Sequence, residues 1–148
     1  MDSTEIAAWR DLIQELANEV YSHLGAGFDE AIYQSALAYE MRKRQVSFQR
    51  EINIEIVYKG VALGLDRPDF VIRPCKLGEI VLSTPIVLEL KTVDSLSENH
   101  RNQVKAYLVS MKHSADPQLQ SCKVGFLINF PKKEGKTPVL EVVPAASD

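Results

Sequence analysis

Hydrophobic positions recur first at helical intervals. Between Thr4 and His23, Ile6, Trp9, Ile13, Leu16 and Val20, with Leu24 just beyond, fall three or four residues apart, the stripe of an amphipathic helix. Ser3 or Thr4 is suited to cap its start. Gly25-Ala26-Gly27 breaks the pattern, and a second helical run through Ile32, Ala36, Leu37, Tyr39 and Met41 ends in Arg42-Lys43-Arg44, where the helix dipole favours positive charge. From Val46 the period becomes two: Ile52, Ile54 and Ile56 alternate with Asn53, Glu55 and Val57, as in a strand with one wetter face. Tyr58-Lys59-Gly60 reads as a hairpin turn, and the next strand is expected from about Val61 to Ile72, with Pro68 marking an edge or bulge.

The run from Pro85 to Lys91 is apolar except for one acid and one base, as in a strand buried on most of both faces. Ser97 then opens a helix through about Met111, with Val104, Tyr107, Leu108 and Met111 on its inner stripe. The polar stretch from His113 to Gln120, with Pro117 inside it, reads as a loop. An apolar strand over Lys123–Phe130 and a short edge strand over Val139–Val143 complete the chain. This order predicts an α/β fold: a mixed sheet with helices on its faces, one helix serving as the crossover between two apolar strands.

Composition narrows the class. No linker-like stretch interrupts the 148 residues, so a single domain over 1–148 is expected. Cys75 and Cys122 are the only cysteines and form no CxxC pair, so no zinc or iron–sulfur set is available. The start, MDSTEIAAWRDL, is acidic and amphipathic where a signal peptide would be basic and then apolar. No apolar run approaches the roughly 18 residues of a membrane span, so a cytoplasmic or nuclear protein with no membrane partner is expected. The net charge of −3 argues against coating nucleic acid by bulk electrostatics. That objection weakens where carboxylates gather at a cation, which reverses the local field, with Arg42-Lys43-Arg44 and Lys132-Lys133 as basic rims.

Glu89 and Lys91 lie one residue apart on the same strand, so their side chains share a face while Leu88 and Leu90 turn to the other. An acid and a base on an apolar strand are costly to bury unless paired or bound to something charged. Asp69, beside Pro68 on the preceding strand, would lie next to Glu89 in an antiparallel pairing. Two carboxylates with room for water and phosphate oxygens suit Mg2+ or Mn2+, and a neighbouring lysine would assist a water and offset charge on phosphate. No HExxH spacing, Ser-His-Asp set or Gly-rich phosphate loop stands out.

Pro68-Asp69, nineteen intervening residues, then Glu89-Leu90-Lys91 resembles the signature of the PD-(D/E)XK nuclease superfamily. More narrowly, Gly27-Phe28-Asp29-Glu30-Ala31-Ile32-Tyr33 is similar to the motif of the GxxExxY protein family. Tyr58-Lys59-Gly60, Arg67-Pro68-Asp69-Phe70, Asn102-Gln103-Val104, Tyr107-Leu108 and Leu127-Ile128-Asn129-Phe130 follow that family in order and spacing. The resemblance implies a restriction-endonuclease-like core, with Asp69 and Glu89 as metal ligands, Glu30 as a further metal contact and Lys91 as the catalytic lysine. It also implies that Gln103 helps position the site. Tyr107, Arg67 and Tyr33 are expected at the substrate. The cysteines of the iron–sulfur branch of exonuclease-like members are lacking, so that fit is partial.

The expected function is a Mg2+- or Mn2+-dependent deoxyribonuclease acting in DNA repair or recombination, either exonuclease-like or a structure-specific resolvase working as a homodimer. The alternative is a catalytically inactive nucleic-acid-binding or scaffolding module that retains the nuclease fold.

Overall fold

The structure, a computed structural model, describes residues 2–144. Helix α1 (Ser3–Leu24) begins at Asp2, whose side chain accepts the Glu5 backbone N–H at 2.8 Å, so the cap lies one residue before the expected serine. It ends at Gly25, which takes φ 68° and donates its N–H to the Tyr21 carbonyl. Helix α2 (Glu30–Lys43) follows and buries Tyr33, Leu37, Ala38 and Met41. Ile32 and Tyr39, two of the apolar residues that mark this run, point to solvent.

The strand region is more broken than its alternation predicts. The run after Val46 divides at Glu51, which adopts φ 52°, into β1 (Phe48–Arg50) and β2 (Ile54–Tyr58). The expected strand from Val61 to Ile72 divides at Arg67-Pro68-Asp69 into β3 (Val61–Asp66) and β4 (Phe70–Ile72). Pro68 has no N–H to give a ladder, so the chain leaves the β2–β3 hairpin there and enters another sheet. A second hairpin, β5 (Cys75–Leu77) and β6 (Ile80–Leu82), follows. The central strand β7 (Ile86–Lys91), helix α3 (Glu98–Met111), a short helix α4 (Pro117–Gln120) inside the expected loop, and strands β8 (Val124–Asn129) and β9 (Val139–Pro144) complete the chain.

The main sheet has the order β1-β4-β7-β8-β9 and is mixed: β7 and β8 run parallel, all other pairs antiparallel. A parallel pair needs a long return, and α3 with α4 supplies it, as expected of the crossover. One face carries α1 and α2, where Trp9, Leu16 and Leu37 pack with Phe70, Leu88, Leu90 and Phe126. The other carries α3, where Val104, Tyr107, Leu108 and Met111 meet Val71, Val87 and Leu127. Each fully buried Leu or Ile in these layers contributes about 1.5–3 kcal/mol. Gly125 on β8 lets α3 settle closely, because a methyl there would collide with the side chains of Val104 and Val87. No helix among the described residues is long and apolar enough to cross a membrane.

Candidate active site

The β4–β7 register pairs Phe70 with Leu88, and continuing it by one residue sets Asp69 opposite Glu89. The two carboxylates are interlocked through the opposite strand's backbone. The Asp69 N–H donates to Glu89 Oε1 at 3.1 Å, and the Leu90 N–H donates to Asp69 Oδ2 at 2.8 Å. The Asp69 carbonyl accepts the Glu51 N–H at 3.2 Å, so the chain break at residues 67–69 is fixed from both sides. As the spacing predicts, Glu89 and Lys91 share the α3 face of β7 while Leu88 and Leu90 join the α1–α2 core.

Lys91 Nζ lies 3.7 Å from Glu89 Oε2, and the Tyr107 hydroxyl donates to that same oxygen at 3.2 Å. Glu89 is 5% exposed. Burial first, and the charge of Asp69 second, push its carboxyl up from the ordinary 4.5 to about 7, against the lowering pull of the Asp69 N–H, Lys91 and Tyr107. Asp69 is raised as well, chiefly by burial, with the Leu90 N–H opposing and Glu30 adding repulsion. Burial and the adjacent Glu89 hold the Tyr107 phenol well above its usual range.

A buried and a half-buried carboxylate face one lysine, and the second oxygen of Asp69 accepts no hydrogen bond among the described residues. A hard cation relieves that excess of negative charge, and Mg2+ takes few protein carboxylates while keeping other positions for water or phosphate. The donor set fits. No group of three or more acidic, His or Cys side chains among the described residues is close enough to share an ion, so Glu30 is not part of a tight triad. It occupies the first position of α2, near enough for its charge to be felt at Asp69.

The other expected site residues are placed unequally. Gln103 is exposed on α3, one turn before Tyr107, and its side chain makes no hydrogen bond among the described residues. Arg67 is exposed beside the Asp69 break, its Nε donating to Asn53 Oδ1 at 3.1 Å. Two residues expected at the substrate are buried. Tyr107 is 3% exposed with its hydroxyl on Glu89, and Tyr33 is 1% exposed with its hydroxyl on the Gly25 carbonyl at 2.6 Å. Both phenols are turned inward and hold protein groups. Arg42-Lys43-Arg44 lies at the far end of α2 from Glu30, roughly 20 Å along the axis, so it forms no rim here. Lys132 does lie beside Glu30, across a cleft. Thr92 and Phe28 line the same cleft, and neither is marked by charge or period in the sequence.

A sequence model of the PD-(D/E)XK nuclease superfamily matches residues 7–142, nearly the whole chain. No curated protein matches it. Among solved structures, one titled "Crystal structure of SSO0001" is similar, with a TM-score of 0.51 and 20% identity over 95% of this chain and 63% of that one. At that identity the likeness concerns the fold alone, and the present chain spans less than two thirds of the other's length. The five-stranded mixed sheet flanked by helices agrees with the restriction-endonuclease-like fold. Superfamily members are usually nucleases that use divalent metals. The chain belongs to the PD-(D/E)XK nuclease superfamily.

Proposed function

We propose that residues 1–148 form a single nuclease domain that hydrolyses phosphodiester bonds in DNA with Mg2+ or Mn2+, as an exonuclease-like or structure-specific enzyme of the GxxExxY type. The observation that carries this reading is the meeting of Asp69 and Glu89 across two strands with Lys91 3.7 Å from Glu89. Asp69 and Glu89 would hold the cation, with Glu30 contributing charge from the start of α2. The bound ion supplies Lewis acidity at phosphate and lowers the pKa of a nucleophilic water.

The chain's own groups do the remainder. Lys91 would orient the attacking water and offset charge developing on phosphate. Tyr107 holds Glu89 Oε2 toward the site and favours its ionised form. Gln103, exposed one turn away, is available to fix the incoming strand, and Arg67 to contact its phosphates. Tyr33 acts indirectly by holding the Gly25 loop ahead of Glu30.

The experiment is a cleavage assay on linear duplex, single-stranded, flapped and four-way-junction DNA with either metal, beside Glu89→Ala protein. Metal-dependent product that disappears with the variant and on chelation is expected. Equal product from Glu89→Ala protein would reject the reading. Metal-independent DNA binding without product would favour the inactive binding module. Preference for the junction by a dimeric species would favour a resolvase.

A further inference from the structure

Phe28 is 45% exposed, yet it is held in place. Its backbone N–H donates to the Tyr33 hydroxyl at 3.4 Å, and its ring meets Tyr33 edge-on with centroids 6.3 Å apart. Tyr33 in turn donates to the Gly25 carbonyl and stacks on Phe130 at 4.7 Å. The loop before α2 is thereby pinned to the core, and the ring at its tip remains in water.

The facing loop is pinned by the same aromatic cluster. Tyr21, packed against both Tyr33 and Phe130, donates its hydroxyl to the Pro131 carbonyl at 2.9 Å and the Lys133 carbonyl at 3.2 Å. A third tie runs between the loops, where the Ala26 N–H donates to Glu134 Oε1 at 3.3 Å. Between these walls lies a cleft of about 540 Å3 lined by Gly27, Phe28, Asp29, Glu30, Thr92 and Lys132. Thr92, one residue beyond Lys91, is part of its lining, and the charge of Glu30 is felt at Asp69. Lys132 is exposed and forms no ion pair among the described residues.

We propose that this cleft holds an unpaired nucleotide of a DNA strand, its base against Phe28 and its phosphate against Lys132, beside the phosphodiester presented to Asp69 and Glu89. The proposal rests on the nuclease reading for the identity of the polymer. An exposed apolar ring forgoes burial it would gain elsewhere in the fold, and a base face restores that burial. Every base has such a face, and stacking on an aromatic side chain is the usual means of holding a single strand without reading its sequence. In a duplex both faces of each base are covered by neighbours, so a ring on a cleft wall reaches one only after the base has left the stack. Asp29 and Glu30 on the Phe28 wall repel phosphate, which directs the backbone to the Lys132 wall. The substrate is therefore a strand end, a flap or a single strand, and a fully paired blunt duplex is excluded until it frays.

The test uses an oligothymidylate of about a dozen nucleotides and a blunt duplex of equal length, with Ca2+ in place of Mg2+ so that binding is read without turnover. Phe28→Trp places a reporter in the cleft, since the native Trp9 is 0% exposed and part of the core. Quenching of Phe28→Trp fluorescence by the single strand, absent in the parent protein, is expected. Phe28→Ala and Lys132→Ala should each weaken single-strand binding by roughly tenfold, the size of one lost stack or phosphate contact. Undiminished binding by Phe28→Ala, absence of quenching, or equal affinity for the blunt duplex would overturn the proposal. Both side chains are exposed, so the variants should fold. Quenching without cleavage in Mg2+ would leave the cleft standing while removing the catalytic reading, and cleavage insensitive to Phe28→Ala would do the reverse.

Discussion

Replacing Glu89 with Gln should make the protein more stable, and only at the alkaline end of its range. The ionised carboxylate is 5% exposed and sits against Asp69, which moves its titration from the ordinary 4.5 to about 7. Because the folded value lies above the unfolded one, the folded chain keeps the proton longer. The resulting destabilisation is absent below about pH 4.5, grows as pH rises and is complete above about pH 7. A displacement of that size corresponds to on the order of 3 kcal/mol. Gln retains an oxygen for the Asp69 N–H or the Tyr107 hydroxyl but deprives Lys91 of its partner, a loss of about 1 kcal/mol. The net gain near pH 8 is then on the order of 1–2 kcal/mol, or roughly 3–6 °C in Tm for a chain of this size. Thermal unfolding of both proteins in metal-free buffer at about pH 5 and about pH 8 measures it. A Tm for Glu89→Gln at or below that of the parent at about pH 8, or a gap that does not widen from acid to alkali, would refute the electrostatic account. Added Mg2+ should raise the parent's Tm and leave the variant's unchanged.

Three further outcomes follow from the same geometry. Lys91→Ala should lower the cleavage rate by about 100-fold or more, the loss seen when one charge-stabilising donor is removed, and lower Tm by only about 2–4 °C as Glu89 loses its cation; an unaltered rate constant would exclude Lys91 from the chemistry. Tyr107→Phe removes a donor that favours ionised Glu89, so the acid limb of the pH–rate profile should move to higher pH and the rate fall roughly tenfold; an unmoved limb would leave the hydroxyl a packing role only. Gly125→Ala drives a methyl into Val104 and Val87 beneath α3 and should cost about 1–3 kcal/mol in urea unfolding, and a neutral effect would show that α3 rests more loosely than its packing implies.

The carboxylate pair was legible because it obeys simple periods. Glu89 and Lys91 stand out as two charges at strand spacing in an apolar run, and Pro68-Asp69 stands out as a break in another. What lay beyond the pattern was long-range. Nothing between Val61 and Ile72 tells alternation apart from a change of sheet except Pro68, and the sequence places that proline without saying which sheet each side joins. Cys75–Leu77 and Ile80–Leu82 are strands of three residues around Gly78, too short for any period to declare itself. Tyr33 and Tyr107 read as site residues from their motifs, and only the depth of the core shows that their hydroxyls face protein groups. Phe28 was hidden for the opposite reason: an aromatic at a helix start is ordinarily core, and its exposure depends on where Tyr33 and Phe130 stack.

In β7, Ile86, Leu88 and Leu90 serve the helical layer of α1 and α2, while Glu89 and Lys91 turn to the opposite side. One backbone thickness therefore separates the apolar layer under α1 and α2 from the side chains proposed to act on substrate. On the proposed nuclease reading, substitutions that refill the layer containing Trp9, Leu88 and Phe126 should accumulate for heat resistance with kcat unchanged. The α3 layer has no such freedom, because Tyr107 belongs both to its packing and to the acid it restrains.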